Sequence, residues 1–187
     1  MENRCNWAQK DEIMARYHDQ EWGRPLHDDQ KLFEFLILEG MQAGLSWITI
    51  LKKREAFRQA YENFEVHKVA AFDQQKVEEL MSNAAIIRNR LKIEASINNA
   101  RRFLEVVDEF GSFDNYIWGF VNHQPVVNHW EQLSEIPAKT ELSDLISADL
   151  RKRGFKFVGS TVVYSHMQAT GMINDHLVSC FCHPQKQ

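Results

Sequence analysis

Arg153-Gly-Phe-Lys-Phe-Val-Gly159 lies between two stretches that read as helices, and its reading decides the fold. Upstream, residues 143–153 open on Ser143 and close at Gly154; downstream, residues 159–170 run into Gly171. A serine before a helix and a glycine after it are ordinary start and stop signals. Arg151, Lys152, Arg153 and Lys156 surround the turn. Exposed backbone N–H groups at a glycine-rich turn leading into a helix N-terminus bind phosphate oxygens. The segment therefore reads as a helix-hairpin-helix element over about residues 150–170. Such an element grips a DNA backbone without reading its sequence, here through Gly154, Lys156 and Gly159. The plainer alternative is an interhelical turn whose Phe155, Phe157 and Val158 are core.

Outward from this turn, helical signals continue. Helices are expected over 11–17, 28–43 behind an Asp28 cap, 47–63, 73–81 and 114–121, with a long one over 85–109. The long one carries Ile86, Leu91, Ile97, Phe103, Leu104 and Val107 as its apolar row. Residues 123–139, with Pro125 and Pro137, look irregular. No window alternates with period two, so strands are not expected, and the chain shows no repeat or low-complexity linker. The expected fold is all-α, one domain over residues 1–187, a length sufficient for a substantial core.

Composition narrows the function classes. Apolar residues make up 44% and charged ones 26%, values of an ordinary globular chain. No apolar run reaches membrane-spanning length, and the first residues lack the apolar segment of a secretory signal. Three cysteines in such a chain fit a reducing cytoplasm and metal ligation better than disulfides. A formal charge of −4 excludes a globally basic protein, so any polyanion would be met by a local patch. Lys52, Lys53, Arg54 and Arg58 form one such cluster and Arg88, Arg90 and Lys92 another, though either could be a solvated helix face.

Two constellations carry chemistry. Cys5 and His18 near one end, with His176 and Cys180 near the other, supply two thiolates and two imidazoles, a complete tetrahedral set for zinc. The spacing of four would stack His176 and Cys180 on one helix face. A closed shell leaves the metal no open position, so zinc would join the termini and catalysis would lie elsewhere. Chance pairing among 3 cysteines and 8 histidines is the competing account. The second constellation centres on Glu39, which shares a helical face with Leu32, Phe35, Leu36 and Ala43. A carboxylate among such neighbours loses hydration, a cost tolerated only with a partner. Glu34, beside Gln30 and Lys31, looks exposed. Trp7, Tyr17, Trp22 and Trp47 bring aromatic faces that attract flat cations and stack on nucleobases. Glu39 is then either the anchor of a flat, electron-poor guest or a structural carboxylate.

Long blocks of the chain closely resemble the 3-methyladenine DNA glycosylase I family, a zinc-containing branch of the helix-hairpin-helix glycosylases. They are Arg4-Cys-Asn-Trp7, Tyr17-His-Asp-Gln-Glu-Trp-Gly23, Leu38-Glu-Gly-Met-Gln-Ala-Gly-Leu-Ser-Trp-Ile-Thr49, Phe120-Val-Asn-His-Gln-Pro125, Lys152-Arg-Gly-Phe-Lys-Phe-Val-Gly159 and Asn174-Asp-His-Leu-Val-Ser-Cys180. The resemblance implies that Cys5, His18, His176 and Cys180 bind one structural Zn2+, with Cys182 outside the ligand set. It implies a base pocket of Glu39, Tyr17 and Trp47 with Trp7 close by, Glu39 being the catalytic residue. Gln42, Gly44 and Leu45 would enter the DNA stack. Met14 stands where some relatives carry a pocket-side Tyr. The implied activity is hydrolytic excision of 3-methyladenine from double-stranded DNA, without strand cleavage, by a cytoplasmic monomer. Asp175 invites comparison with the water-activating Asp of other hairpin glycosylases, but a supporting role beside His176 is the preferred reading. The rival class is a zinc-stabilised hairpin module that binds DNA without catalysis. A zinc hydrolase would need an open coordination position.

Overall fold

The computed structural model describes residues 3–186 and is built almost wholly of helices. In chain order these are α1 (Glu12–Gln20), α2 (Asp29–Gln42), α3 (Trp47–Ala60), α4 (Val66–Ala70), α5 (Gln74–Ser82), α6 (Arg90–Phe110), α7 (Phe113–Gly119), α8 (Glu141–Lys152) and α9 (Ser160–Ala169). Polar side chains fix where six of them begin. Asp11, Asp28, Asp73, Asn89, Ser112 and Thr140 each accept a backbone N–H from the first turn that follows, satisfying donors the helix itself cannot. None of the described helices is long and apolar enough to cross a membrane.

The strand expectation needs correction. Val126–Val127 (β1) and Ile173–Asn174 (β2) pair in parallel, Val126 opposite Ile173. Two residues per strand are too few to show alternation in a sequence. Leu91, expected on the apolar row of the long helix, is 70% exposed, because α6 starts at Arg90 and its first turn faces inward through Lys92 and Ile93, which leaves Leu91 on the outer side.

The middle of the molecule is α2. Ten of its residues, from Leu32 to Met41, are buried in succession, so this helix is enclosed on all sides rather than amphipathic. Phe33 meets Phe103 of α6 edge-on at 5.3 Å, and Phe103 stacks on Phe113 at 4.2 Å. A further face of α2 packs against α9.

Three charged side chains read as surface, Glu34, Arg54 and Lys92, are interior. Glu34 is buried and accepts Arg54 Nε at 2.6 Å and Arg58 Nη2 at 2.9 Å. Arg54 reaches on to Glu21 at 2.8 Å and lies over the Phe35 ring at 4.8 Å. The network ties α1, α2 and α3 together, which explains why a carboxylate can sit in a buried helix. Lys92 is buried as well; its Nζ donates to the carbonyls of Met41 at 2.8 Å and Ala43 at 2.6 Å. These are orphan acceptors at the C-terminus of α2, where a cation also meets the negative end of the helix.

Beyond Lys92, residues 42–45 form a turn in which Gly44 has φ +80 and Leu45 N–H returns to Gln42 O. With Ala43 at φ −47 and ψ 116, this is the geometry of a type II turn, whose third position calls for glycine. Arg54→Met would leave Glu34 with only Arg58 in a buried site. Urea unfolding should show a loss of about 3 kcal/mol, largely restored when Glu34→Leu is added.

Candidate functional site

Four side chains from the two ends of the chain converge. Cys5 Sγ, His18 Nε2, His176 Nδ1 and Cys180 Sγ all lie within 4.8 Å of one another, all four residues buried. His176 Nδ1 is 3.1 Å from His18 Nε2, 3.7 Å from Cys180 Sγ and 3.9 Å from Cys5 Sγ. Each imidazole is aimed by its other nitrogen: His18 Nδ1 meets Asp19 Oδ1 at 2.8 Å, and His176 Nε2 meets the Trp22 carbonyl at 2.9 Å. Arg4 holds Asp19 through two N–H groups, keeping its carboxyl below the usual range. Such outer contacts orient metal-binding imidazoles. The cluster is one that could hold a metal ion.

His176 and Cys180 do not reach it from a helix, as their spacing suggested. Residues 175–177 are irregular and 177–180 form a turn, closed by Cys180 N–H on Leu177 O at 2.8 Å. Gly23 makes room for it: at φ +73 a side-chain carbon there would sit 3.0 Å from the His176 ring. Cys182 is outside the four, and its backbone N–H donates to Cys180 Sγ at 3.4 Å.

Beside the cluster lies a cavity of about 230 Å3. Trp7, Tyr17, Trp22 and Trp47 form aromatic walls, and Glu39 and Gln42 of α2 face it. Cavity and cluster share α1, because consecutive residues Tyr17 and His18 serve one each. Trp22 links them further, lying 5.0 Å from the Trp7 ring and 4.7 Å from the His176 ring. Tyr17 and Trp47 approach at 5.5 Å.

Glu39 is 3% exposed and its Oε2 has no hydrogen-bond partner. Burial pushes its carboxyl up to about 8, since no neighbour replaces the water it lost. Burial also pushes the Tyr17 hydroxyl well up, and the nearby Glu39 carboxylate adds to that. Trp47 Nε1, a donor, is likewise buried without a partner. The arrangement is an aromatic slot with an uncompensated carboxyl: it can receive a flat guest that carries positive charge or hydrogen-bond donors.

The expected site residues thus divide into neighbouring groups. Trp7, Tyr17, Glu39 and Trp47 meet at the cavity, as does Met14. At its rim the turn after Gln42 carries Leu45, 40% exposed. The glycine turn between α8 and α9 comes to the same end of α2, for a side-chain carbon at Gly40 would lie 3.4 Å from Phe157 Cβ. Gly154, at φ +88, ends α8 with its N–H on Arg151 O, and Phe155 N–H returns to Leu150 O. Asn99 of α6 clamps both backbone groups of Lys156 at 2.8 Å, leaving the lysine side chain exposed. Phe155 and Val158 are core, whereas Phe157, also expected there in the plainer reading, is 39% exposed.

Sequence reasoning missed Ser165 and Gln168, which complete the cavity from α9. Their spacing of three puts them on one helix face, but nothing local says that this face meets α2. Asp175 does not line the cavity. It is fully buried and accepts from Asn128, Trp130, Tyr164 and Gln168, in keeping with a supporting role.

A family model described as methyladenine glycosylase matches residues 7–183. DNA-3-methyladenine glycosylase 1 of Escherichia coli K12 is 52% identical over 97% of each chain. A crystal structure of a 3-methyladenine DNA glycosylase I superposes with a TM-score of 0.93 at 49% identity, covering 97% of this chain and 100% of the other. The Staphylococcus aureus 3-methyladenine DNA glycosylase I, whose structure concerns 3-methyladenine recognition, gives 0.94 at 39% identity and covers 97% of each chain. Match over nearly the whole chain, in sequence and in fold, leads to one conclusion: the chain belongs to the methyladenine glycosylase family.

Proposed function

We propose that this chain excises 3-methyladenine from alkylated double-stranded DNA by hydrolysis of the glycosidic bond, leaving an abasic site. The observation that carries the reading is the unpartnered, buried Glu39 carboxyl between aromatic rings, supported by the family to which the chain belongs. A non-catalytic DNA-binding module would have no use for such a carboxyl.

Adenine methylated at N3 is positively charged, so its glycosidic bond is already weakened and needs little acid catalysis. The protein's work is to draw the nucleotide out of the duplex, which costs least for a damaged base. Leu45, at the tip of a glycine turn on the cavity rim, would fill the vacated space, with Gln42 and Gly44 shaping the approach. The hairpin around Gly154, Lys156 and Gly159 would hold the phosphate backbone. In the cavity Trp47 would stack on the base, with Trp7 and Tyr17 closing its sides. Entry of the cationic base would favour the charged form of Glu39, which gives up its proton to solvent, and the carboxylate so formed would accept the base's donors and complement its charge. As the C1′–N bond breaks, its electron pair leaves with the base. Water adds to the oxocarbenium-like sugar carbon and gives up a proton. Normal adenine lacks the charge that favours Glu39. The same reading makes the protein a monomer working on chromosomal DNA in the cytoplasm.

Zinc suits the four-residue cluster. Bonds of about 2.3 Å to sulfur and about 2.0 Å to nitrogen give tetrahedral edges of about 3.3 to 3.8 Å. Four of the six separations among these atoms run from 3.1 to 3.9 Å, and all lie within 4.8 Å. With two thiolates and two imidazoles in place, Zn2+ would serve structure alone, joining the segment before α1 and α1 itself to the segment after β2.

Glu39→Gln should keep the fold and the metal yet lose most release of 3-methyladenine, about a hundredfold or more, measured as free base from alkylated DNA. Its stability carries a sign. A carboxyl raised to about 8 in the fold binds a proton that the unfolded chain gives up near its ordinary value, so its contribution is present in acid and lost as pH rises toward 8. Glu39→Gln should therefore melt a few degrees above the parent at pH 8, the gap closing toward pH 5. Cys180→Ala should lower zinc content by elemental analysis and lower the Tm, whereas Cys182→Ala should retain the metal. Lys156→Ala should weaken DNA binding alike on all sequences and reduce the salt slope by about one.

A further inference from the structure

Charge alone cannot tell two alkylated purines apart. An alkylated guanine and an alkylated adenine both bring a positive ring to Glu39, yet they differ at one edge. Adenine offers an exocyclic amine, a donor, where guanine offers a carbonyl oxygen, an acceptor. A pocket that separates them needs an acceptor of fixed direction.

Gln168 lines the cavity from α9 together with Ser165. Its Nε2 donates to Asp175 Oδ2 at 2.8 Å. An amide is free to reverse unless its neighbours forbid it, and here they do. Asp175 also receives Tyr164 at 2.6 Å on the same oxygen, and Asn128 and Trp130, both at 2.8 Å, on the other. This is the bonding pattern of a carboxylate acting only as acceptor. A reversed amide would set two acceptor oxygens against each other at hydrogen-bond distance. The backbone beneath is fixed too, for the Gln168 carbonyl accepts Gly23 N–H at 2.8 Å. The orientation leaves Oε1 as the polar group that Gln168 can offer a guest.

We propose that Gln168 is a specificity-determining residue: its side-chain carbonyl, locked in direction by Asp175, accepts the exocyclic amine of an alkylated adenine and rejects the oxygen of an alkylated guanine. This deepens the glycosylase reading and rests on it. Asp175, which does not reach the cavity, is a positioning residue.

The test uses the intact protein on DNA alkylated to carry both 3-methyladenine and 3-methylguanine, with each released base quantified. Gln168→Met keeps the length and removes the carbonyl. It should lower the rate for 3-methyladenine about tenfold, the worth of one buried hydrogen bond, while 3-methylguanine release holds or rises. Equal changes for both bases, or none, would overturn the proposal. Inhibition constants of the two free bases, which do not depend on the fraction of protein folded, should lose the same tenfold preference; an undiminished preference contradicts it. Glu39→Gln run alongside separates the failures. If Glu39→Gln abolishes excision while Gln168→Met leaves the ratio intact, only this inference falls. If Glu39→Gln excises at the parent rate, the pocket reading falls with it.

Discussion

A buried carboxyl without a partner is an expense that the rest of this molecule has to bear. Glu39 sits on a helix enclosed on all sides, loses its water, and gains no cation or donor in return. Its preference for the neutral form, set by burial, expresses that loss directly. Placing it there requires rigid surroundings, since a mobile wall would admit water or let the side chain turn away. The rigid parts are identifiable. They are the aromatic stack of α2, α6 and α7, the Arg54 network across α1 to α3, and the four-residue cluster that fixes Tyr17 through its neighbour His18.

Glu34 and Glu39 make the logic plain. They are five residues apart on one helix and both buried. Glu34 has two guanidiniums and acts as a structural tie. Arg54 is engaged by Glu34 and Glu21 and lies across Phe35, so it is not free to neutralise the cavity. The same residue type thus serves strength in one place and, in the function proposed, selectivity in the other, according to whether a partner was supplied. The α2 terminus repeats the pattern: Lys92 satisfies the last carbonyls, and the turn beyond is free to present Leu45 to whatever approaches.

Much of this was legible in the residues. Asp28 and Gly154 marked real helix boundaries because caps and left-handed stops are local chemistry. Cys5, His18, His176 and Cys180 were legible because metal-ligating residue types are few. What stayed hidden was decided by tertiary partners. Glu34 reads as exposed until Arg54 is seen across the helix pair, and Lys92 reads as surface until α6 is docked under α2. The His176–Cys180 spacing is compatible with a helix, but the chain takes a turn there. Gln168 carries no local sign of facing a cavity, since that depends on how α9 lies against α2.

The central claim is that Glu39 is held desolvated and unpaired until a charged base arrives. Carboxyl-selective labelling and an NMR titration of Glu39 test it most directly. In the free protein the resonance should titrate near 8, and a cationic alkylated purine nucleoside seated in the cavity should lower that midpoint. A midpoint in the free protein at the ordinary glutamate value, unmoved by the cation, would contradict the account.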